Sequence, residues 1–167
     1  MREILGFWHL QEALEEIGNE IVKLYKEKLQ QPDVNGWNRV ASSQLLNSVN
    51  FLVLRNDSEI WVELHLEDYW KYLEYGTKPH WPPVDAIRDW IKIKPVLPRP
   101  DKNGKLPTEK QLAFLIGRKI SREGTEPYML YNQTMDALND WITNKLEEAI
   151  KLDLEEDLDL TLIKYFK

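Results

Sequence analysis

NFLVLRNDSEIWVELHL, residues Asn50 to Leu66, supplies the β part of an α+β fold. Its second half alternates, with Ile60, Val62, Leu64 and Leu66 interleaved with Trp61, Glu63, His65 and Glu67. Successive side chains of a strand point to opposite faces, so a period of two marks a half-buried strand. Its first half, Phe51, Leu52, Val53 and Leu54, is apolar on both faces. Asn56-Asp57-Ser58, between the halves, is a cluster of turn formers. The reading is an antiparallel hairpin over about 50–66. An isolated two-stranded hairpin is marginal in water. It must pack on a helix, or gain a strand from elsewhere in the chain or from a neighbour.

The segment before the hairpin supplies such a helix. From about Phe7 to Gln30, Leu10, Leu14, Ile17, Ile21 and Leu24 recur at steps of four and three, which is one apolar stripe. Gln31-Pro32 and Asn35-Gly36 end it. It reads as a surface helix packed on the core, or as one that touches another subunit. Ser42 or Ser43 caps a short turn through Leu45, Leu46 and Val49. After the hairpin, Asp68 to Tyr75 reads as a short helix stopped by Gly76. Pro79, Pro82 and Pro83 hold the next stretch extended, and Pro83 leads a helix with Val84, Ile87, Trp90 and Ile91 as its apolar face. Pro95 to Pro107 is a long basic loop carrying Arg99, Lys102 and Lys105. Thr108 with Gln111 forms a capping-box pattern. The helix it opens has the stripe Leu112, Leu115, Ile116 and Ile120, and it stops at Gly124 before Pro127. A last helix, Tyr128 to Lys151, carries Met135, Leu138, Ile142, Leu146 and Ile150.

Beyond Lys151 come acids at Asp153, Glu155, Glu156, Asp157 and Asp159, then the alternating Leu158, Leu160 and Leu162 before Ile163, Tyr165 and Phe166. Alternation after an acidic break predicts an extended arm, able to add as a strand to another sheet edge, to return to its own sheet, or to fray from a helix end. The organisation is then one α+β domain over 1–151 followed by an arm over 152–167. The fold class is a small antiparallel sheet packed on a long N-terminal helix and several further helices.

Length and composition narrow the function. A chain of 167 residues suits one domain; at that size roughly 68–70% of the unfolded surface is buried, so no disulfide or metal staple is needed. The absence of cysteine excludes disulfides, Cys-based zinc sites and thiol catalysis. No apolar run approaches the roughly 18 residues of a membrane span. Met1 to Trp8 lacks the apolar core of a secretory signal, so cytoplasmic synthesis is expected. The net charge of −6 argues against a grip on DNA phosphates, because counterion release rewards a basic surface.

Catalytic patterns are absent: there is no G-x-S-x-G elbow, no P-loop, no dinucleotide glycine run and no H-E-x-x-H. Glu63, His65 and Glu67 share a strand face, which suits either a weak metal site in a small metal-dependent hydrolase or a solvated outer face. The acids from Asp153 to Asp159 lack the glycine and spacing of an EF-hand and read as a solvated turn. Gly76-Thr77-Lys78 lacks the upstream glycine of a nucleotide loop. The expectation is a protein that is not an enzyme and holds no cofactor or metal. A peptide-binding adaptor using the sheet edge is a further alternative.

The segment YWKYLEYGTKPHWPPVDAIRDW, Tyr69 to Trp90, is the most distinctive. Tyr69, Trp70, Tyr72, Tyr75, Trp81 and Trp90 line a glycine stop and a proline-stiffened connector that has little entropy left to lose on docking. Its aromatics either face a neighbour or fill their own core.

At this segment the chain resembles the small neck and tail-completion proteins of long-tailed phages, also described as minor tail or head–tail joining proteins. Glu74-Tyr75-Gly76-Thr77, after Tyr72-Leu73, matches the Glu-aromatic-Gly-Thr element of that family, followed by Pro79, Pro82, Pro83 and the helix around Ile87 to Ile91. Ile116-Gly117-Arg118-Lys119-Ile120, then Gly124-Thr125-Glu126-Pro127, match its basic helix and second turn. The likeness covers Phe7 to Lys151; Tyr128-Met129-Leu130-Tyr131-Asn132 stands where the family often has Phe-Leu-x-Pro-Ala, and the acidic arm lies outside the pattern.

The resemblance implies an α+β fold and self-assembly into a ring at the neck or top of the tail, in contact with other neck, portal or tail proteins of the virion. Tyr72, Glu74, Tyr75, Gly76, Thr77, Pro79, His80, Trp81 and Pro83 are expected at subunit contacts, together with the Pro95–Pro107 loop. Leu160, Leu162, Tyr165 and Phe166 of the arm are expected there too. An acidic ring lets DNA pass without sticking to its wall.

Overall fold

A computed structural model of the chain describes residues 7–32, 43–56, 58–94, 96 and 98–165. Ser42, the Asn35-Gly36 break, Asp57, Pro95 and Phe166 lie outside the described residues. The elements are α1 (Trp8–Gln30), α2 (Ser43–Ser48), β1 (Asn50–Arg55), β2 (Ile60–His65), α3 (Trp70–Tyr75), α4 (Val84–Ile93), α5 (Glu109–Glu123) and α6 (Leu130–Tyr165). The expected α+β class holds: helices dominate, and β1 and β2 form an antiparallel pair. No helix among the described residues is long and apolar enough to cross a membrane. The chain folds as two compact units. One holds α1 as far as Lys28, the hairpin, and α6 from Tyr131; the other holds α3, α4 and α5.

In the first unit the apolar stripe of α1 meets that of α6. Ile17, Ile21 and Leu138 form the buried centre, with Leu24, Leu64, Met135, Trp141, Ile142 and Leu146 packed around it. On α6 the inward stripe ends differently from expectation: Ala149 is buried and Ile150 faces out. Beside this core Lys145 pairs with Glu16, and the hydrogen bond to that carboxylate raises the Lys145 pKa above its ordinary value.

The hairpin register pairs Phe51 with Leu64 and Val53 with Val62 on the inner face. On the outer face it pairs Leu52 with Glu63 and Leu54 with Trp61. Asn56 closes the turn, its Oδ1 accepting from the N–H groups of Ser58 and Glu59 at 2.9 and 2.8 Å. The hairpin packs on α1 because α1 makes room for it. A Cβ at Gly18 would lie 2.2 Å from the Phe51 ring. The ring occupies the space that any other residue would fill, and this outweighs the helix-propensity cost of a mid-helix glycine, about 1 kcal/mol.

Two expectations about the C-terminal stretch are corrected. Residues 152–165 are not an extended arm; they continue α6 to Tyr165. From Tyr128 onward the sequence has no glycine or proline, and Leu, Glu and Lys are strong helix formers. The spacing of Leu158 and Leu162 fits a helix face as well as a strand face. Nor is Asp153 solvated. It is buried and accepts from the N–H of His9 through Oδ1 at 3.0 Å and from the N–H of Leu10 through Oδ2 at 2.9 Å. These first-turn donors have no partner within their own helix, and the positive end of the α1 dipole favours a carboxylate.

In the second unit α3 begins at Trp70, two residues later than expected, because Asp68 and Tyr69 form the preceding turn. Pro83 precedes α4, and the Thr108–Gln111 capping box at the start of α5 is present in both directions. α4 and α5 approach closely at Gly117, where a Cβ would lie 3.4 Å from Ile87. Arg88 Nε donates to Glu109 Oε1 at 3.0 Å across the same pair. Leu115, expected inward, is exposed, and Ala113 takes the buried position.

Replacing Gly18 with alanine is expected to lower unfolding free energy by about 1–3 kcal/mol, the usual cost of overpacking. In a Phe51→Ala background the same change should be neutral or stabilising, by up to about 1 kcal/mol, since only the propensity gain remains. Urea denaturation of the four variants reads out the sign reversal.

Candidate functional site

The two Gly-Thr turns, separated by most of the second unit in sequence, meet in space. α3 stops at Gly76 (φ 65°, ψ −167°) and α5 stops at Gly124 (φ 72°, ψ −155°). This region of backbone space is open essentially to glycine alone. Each glycine turns the chain so that the following threonine pairs with its counterpart. Thr77 N–H donates to Thr125 O, and Thr125 N–H donates to Thr77 O, both at 3.1 Å. The hydroxyls lie 3.1 Å apart, and Thr77 Oγ1 also accepts from Thr125 N–H at 3.2 Å. The fit is reciprocal: a Cβ on Gly76 would lie 2.1 Å from Thr125 O, and one on Gly124 would lie 2.0 Å from Thr77 O.

The chain after the second turn completes the join. Tyr128 N–H donates to Leu73 O at 2.7 Å and Met129 N–H donates to Glu74 O at 3.1 Å, so the carbonyls at the end of α3 find partners. Met129 takes a positive φ of 51° to do so. Glu74, expected at a subunit contact, is buried beneath this join and lies inside the subunit. Gly76 and Thr77 are half-buried in the bridge itself.

The other expected contact residues of the elbow are on the surface. Tyr72, Tyr75 and Trp81 are 57%, 70% and 50% exposed, and Pro79, His80 and Pro83 are exposed as well. The Tyr75 ring stands 6.2 Å from that of Trp70, and the Trp81 ring stands 5.5 Å from that of Phe114, both tilted. Phe114 was not anticipated. It lies off the inward stripe of α5, and an exposed phenylalanine there was the signal available. His80 is oriented by its Nδ1 against Lys78 O at 2.9 Å. At the C-terminus Leu160, Leu162 and Tyr165 are exposed, but on a helix.

Ligand-type side chains group differently from expectation. His65 Nε2 lies 3.2 Å from Glu63 Oε1 on the exposed face of β2, while Glu67 falls beyond the strand end. Among the described residues the set whose ligand atoms converge is His9, Asp153 and Glu156, all within 4.8 Å of one another. Here Asp153 already serves both first-turn donors of α1, and His9 Nε2 stands 3.7 Å from Glu156 Oε2. The geometry is that of a helix cap with an adjacent His–Glu pair.

Comparison with protein-family models, with curated proteins and with solved structures finds no match to this chain.

Gly76→Ala and Gly124→Ala should each cost at least about 1–3 kcal/mol from backbone strain alone. The double variant should cost less than the sum, because both remove one shared bridge; thermal or urea unfolding measures this. Asp153→Ala should cost about 1.5–3 kcal/mol, as for hydrogen bonds to a charged group. If Asp153 acts as a cap, the melting temperature of the parent protein is unmoved by EDTA or by added zinc.

Proposed function

We propose that this chain is a structural subunit of a tailed-phage virion that assembles with copies of itself into a ring at the neck or the top of the tail, and that it catalyses no reaction. The observation that carries this reading is the pairing of Gly76-Thr77 with Gly124-Thr125. These are the two short motifs on which the resemblance to the neck and tail-completion family rests, and they form one bonded unit. A motif whose backbone and hydroxyl groups are spent on holding a junction suits a scaffold better than an active site.

The surface beside that junction supports the same reading. Tyr72, Tyr75 and Trp81 present large aromatic area to solvent next to a connector stiffened by three prolines. Exposed aromatic area supports an interaction surface, since the hot spots of interfaces are enriched in tyrosine and tryptophan. A ring requires a heterologous interface that closes by rotation. The charge of −6 suits a conduit past which DNA moves without binding.

The purified full chain is expected to form a closed ring, visible by mass photometry and negative-stain microscopy, alone or on addition of portal and tail proteins. Tyr75→Ala combined with Trp81→Ala should weaken assembly by about thirtyfold or more, the effect of losing a hot spot of about 2 kcal/mol, while circular dichroism stays unchanged. A chain that remains monomeric at tens of micromolar and binds none of those partners overturns the reading.

A further inference from the structure

We propose that the last turns of α6 of one copy dock into the groove formed by the 99–107 loop and α5 of the neighbouring copy. This inference rests on the ring reading above and names the surfaces that mate.

The groove is lined by both apolar and basic side chains. It has a volume of about 700 Å³, within the range of roughly 300–1,000 Å³ typical of ligand clefts. Leu106, Phe114 and Leu115 line it and are each about half exposed, so apolar area faces water there. Arg99, Lys105 and Lys110 stand around it. The remaining polar lining is engaged within the subunit. Asp101 Oδ1 accepts from the N–H groups of Asn103 and Lys105 at 2.8 and 2.9 Å, and Gln111 closes the capping box with Thr108. Asp101 N–H also donates to Lys105 O at 2.9 Å, across a turn with Gly104 at φ 77°. The loop is held in shape, and the charge it presents is positive.

The end of α6 has the complementary character. Leu154, Leu158, Leu162 and Tyr165 recur at steps of four, four and three, which places them on one side of the helix. All are more than half exposed, the last at 73%. Glu155 and Asp159 border this stripe on one side and Asp157 on the other. From Leu154 to Tyr165 the stripe runs about 17 Å at ~1.5 Å per residue. An amphipathic helix laying such a stripe into an apolar groove is a recurrent mode of recognition. Carboxylates beside the stripe meeting cations around the groove set register and orientation. Helix and groove are different patches of the same chain, so the contact is head-to-tail, the kind that propagates from copy to copy and forms a ring where its rotation closes.

The test uses two full-length variants. Lys105→Glu with Lys110→Glu reverses the groove and leaves the helix intact. Leu158→Gln with Leu162→Gln removes the stripe, keeps helix propensity and leaves the groove intact. Each alone should stay monomeric where the parent assembles, with its dissociation constant raised tenfold or more, and circular dichroism should be unchanged. Mixed in equal amounts, they should form a heterodimer and nothing larger, because only one intact groove and one intact helix remain per pair. Parent assembly should weaken as salt rises from about 0.1 M to about 1 M, where the screening length falls from ~10 to ~3 Å.

Rings that form regardless of both variants overturn the inference and leave the assembly reading standing. A monomeric parent that binds no neck or tail partner sinks both. A mixture that yields no heterodimer, or a parent whose helix cross-links only to its own groove, overturns the inference. A groove variant that still assembles but loses binding to duplex DNA does so in favour of nucleic acid.

Discussion

The reciprocal junction of Gly76-Thr77 with Gly124-Thr125 is the constraint on which the second unit depends. It closes a loop of 48 residues. Closure of a flexible loop that long costs roughly 3 kcal/mol from the length-dependent term alone. Its two backbone hydrogen bonds contribute about 0.5–1.5 kcal/mol each. The bonds by themselves therefore at most offset closure. The surplus comes from what the closed loop packs: Ile87 against Gly117, Trp81 against Phe114, and the bond between Arg88 and Glu109. The prolines at 79, 82 and 83 reduce the freedom of the unfolded connector and so lower the cost of ordering it.

In the first unit a buried carboxylate does a comparable job. Asp153, far along α6, supplies the acceptors that the start of α1 lacks. A buried charge is costly unless it is hydrogen-bonded, and here both oxygens are bonded at a site where the helix dipole is positive. The acids that begin at Asp153 therefore do not form a solvated turn. The first of them is consumed by the fold, and Glu155, Asp157 and Asp159 are left for the surface.

The two surfaces most available for partners differ in kind. The elbow offers rigid aromatic area on a proline-stiffened frame, and the loop before α5 offers a groove lined by apolar and basic side chains. The α6 terminus, acidic and leucine-rich, is matched to the second of these in both charge and hydrophobicity. On the docking proposed above, one copy would supply the groove and the next its complement, so assembly would need no other protein to begin.

Local grammar in the sequence determined most of the element boundaries. Gly76 and Gly124 ended helices, Pro83 and the Thr108–Gln111 box began them, and the alternation from Ile60 to Leu64 marked a strand. These signals act within one or two turns of backbone, so the residues that decide the outcome are adjacent and can be read in order. Local signals left the elbow aromatics open between a docking surface and an inward core, and it is the structure that exposes Tyr72, Tyr75 and Trp81. Only the tertiary structure decided that the two Gly-Thr turns are one junction, that Glu74 and Asp153 go inside, and that Phe51 takes the space left by Gly18. Each of those depends on a partner supplied from a distant part of the chain. A carboxylate or a glycine reads the same whether or not its partner is present, and burial is settled by where the partner is.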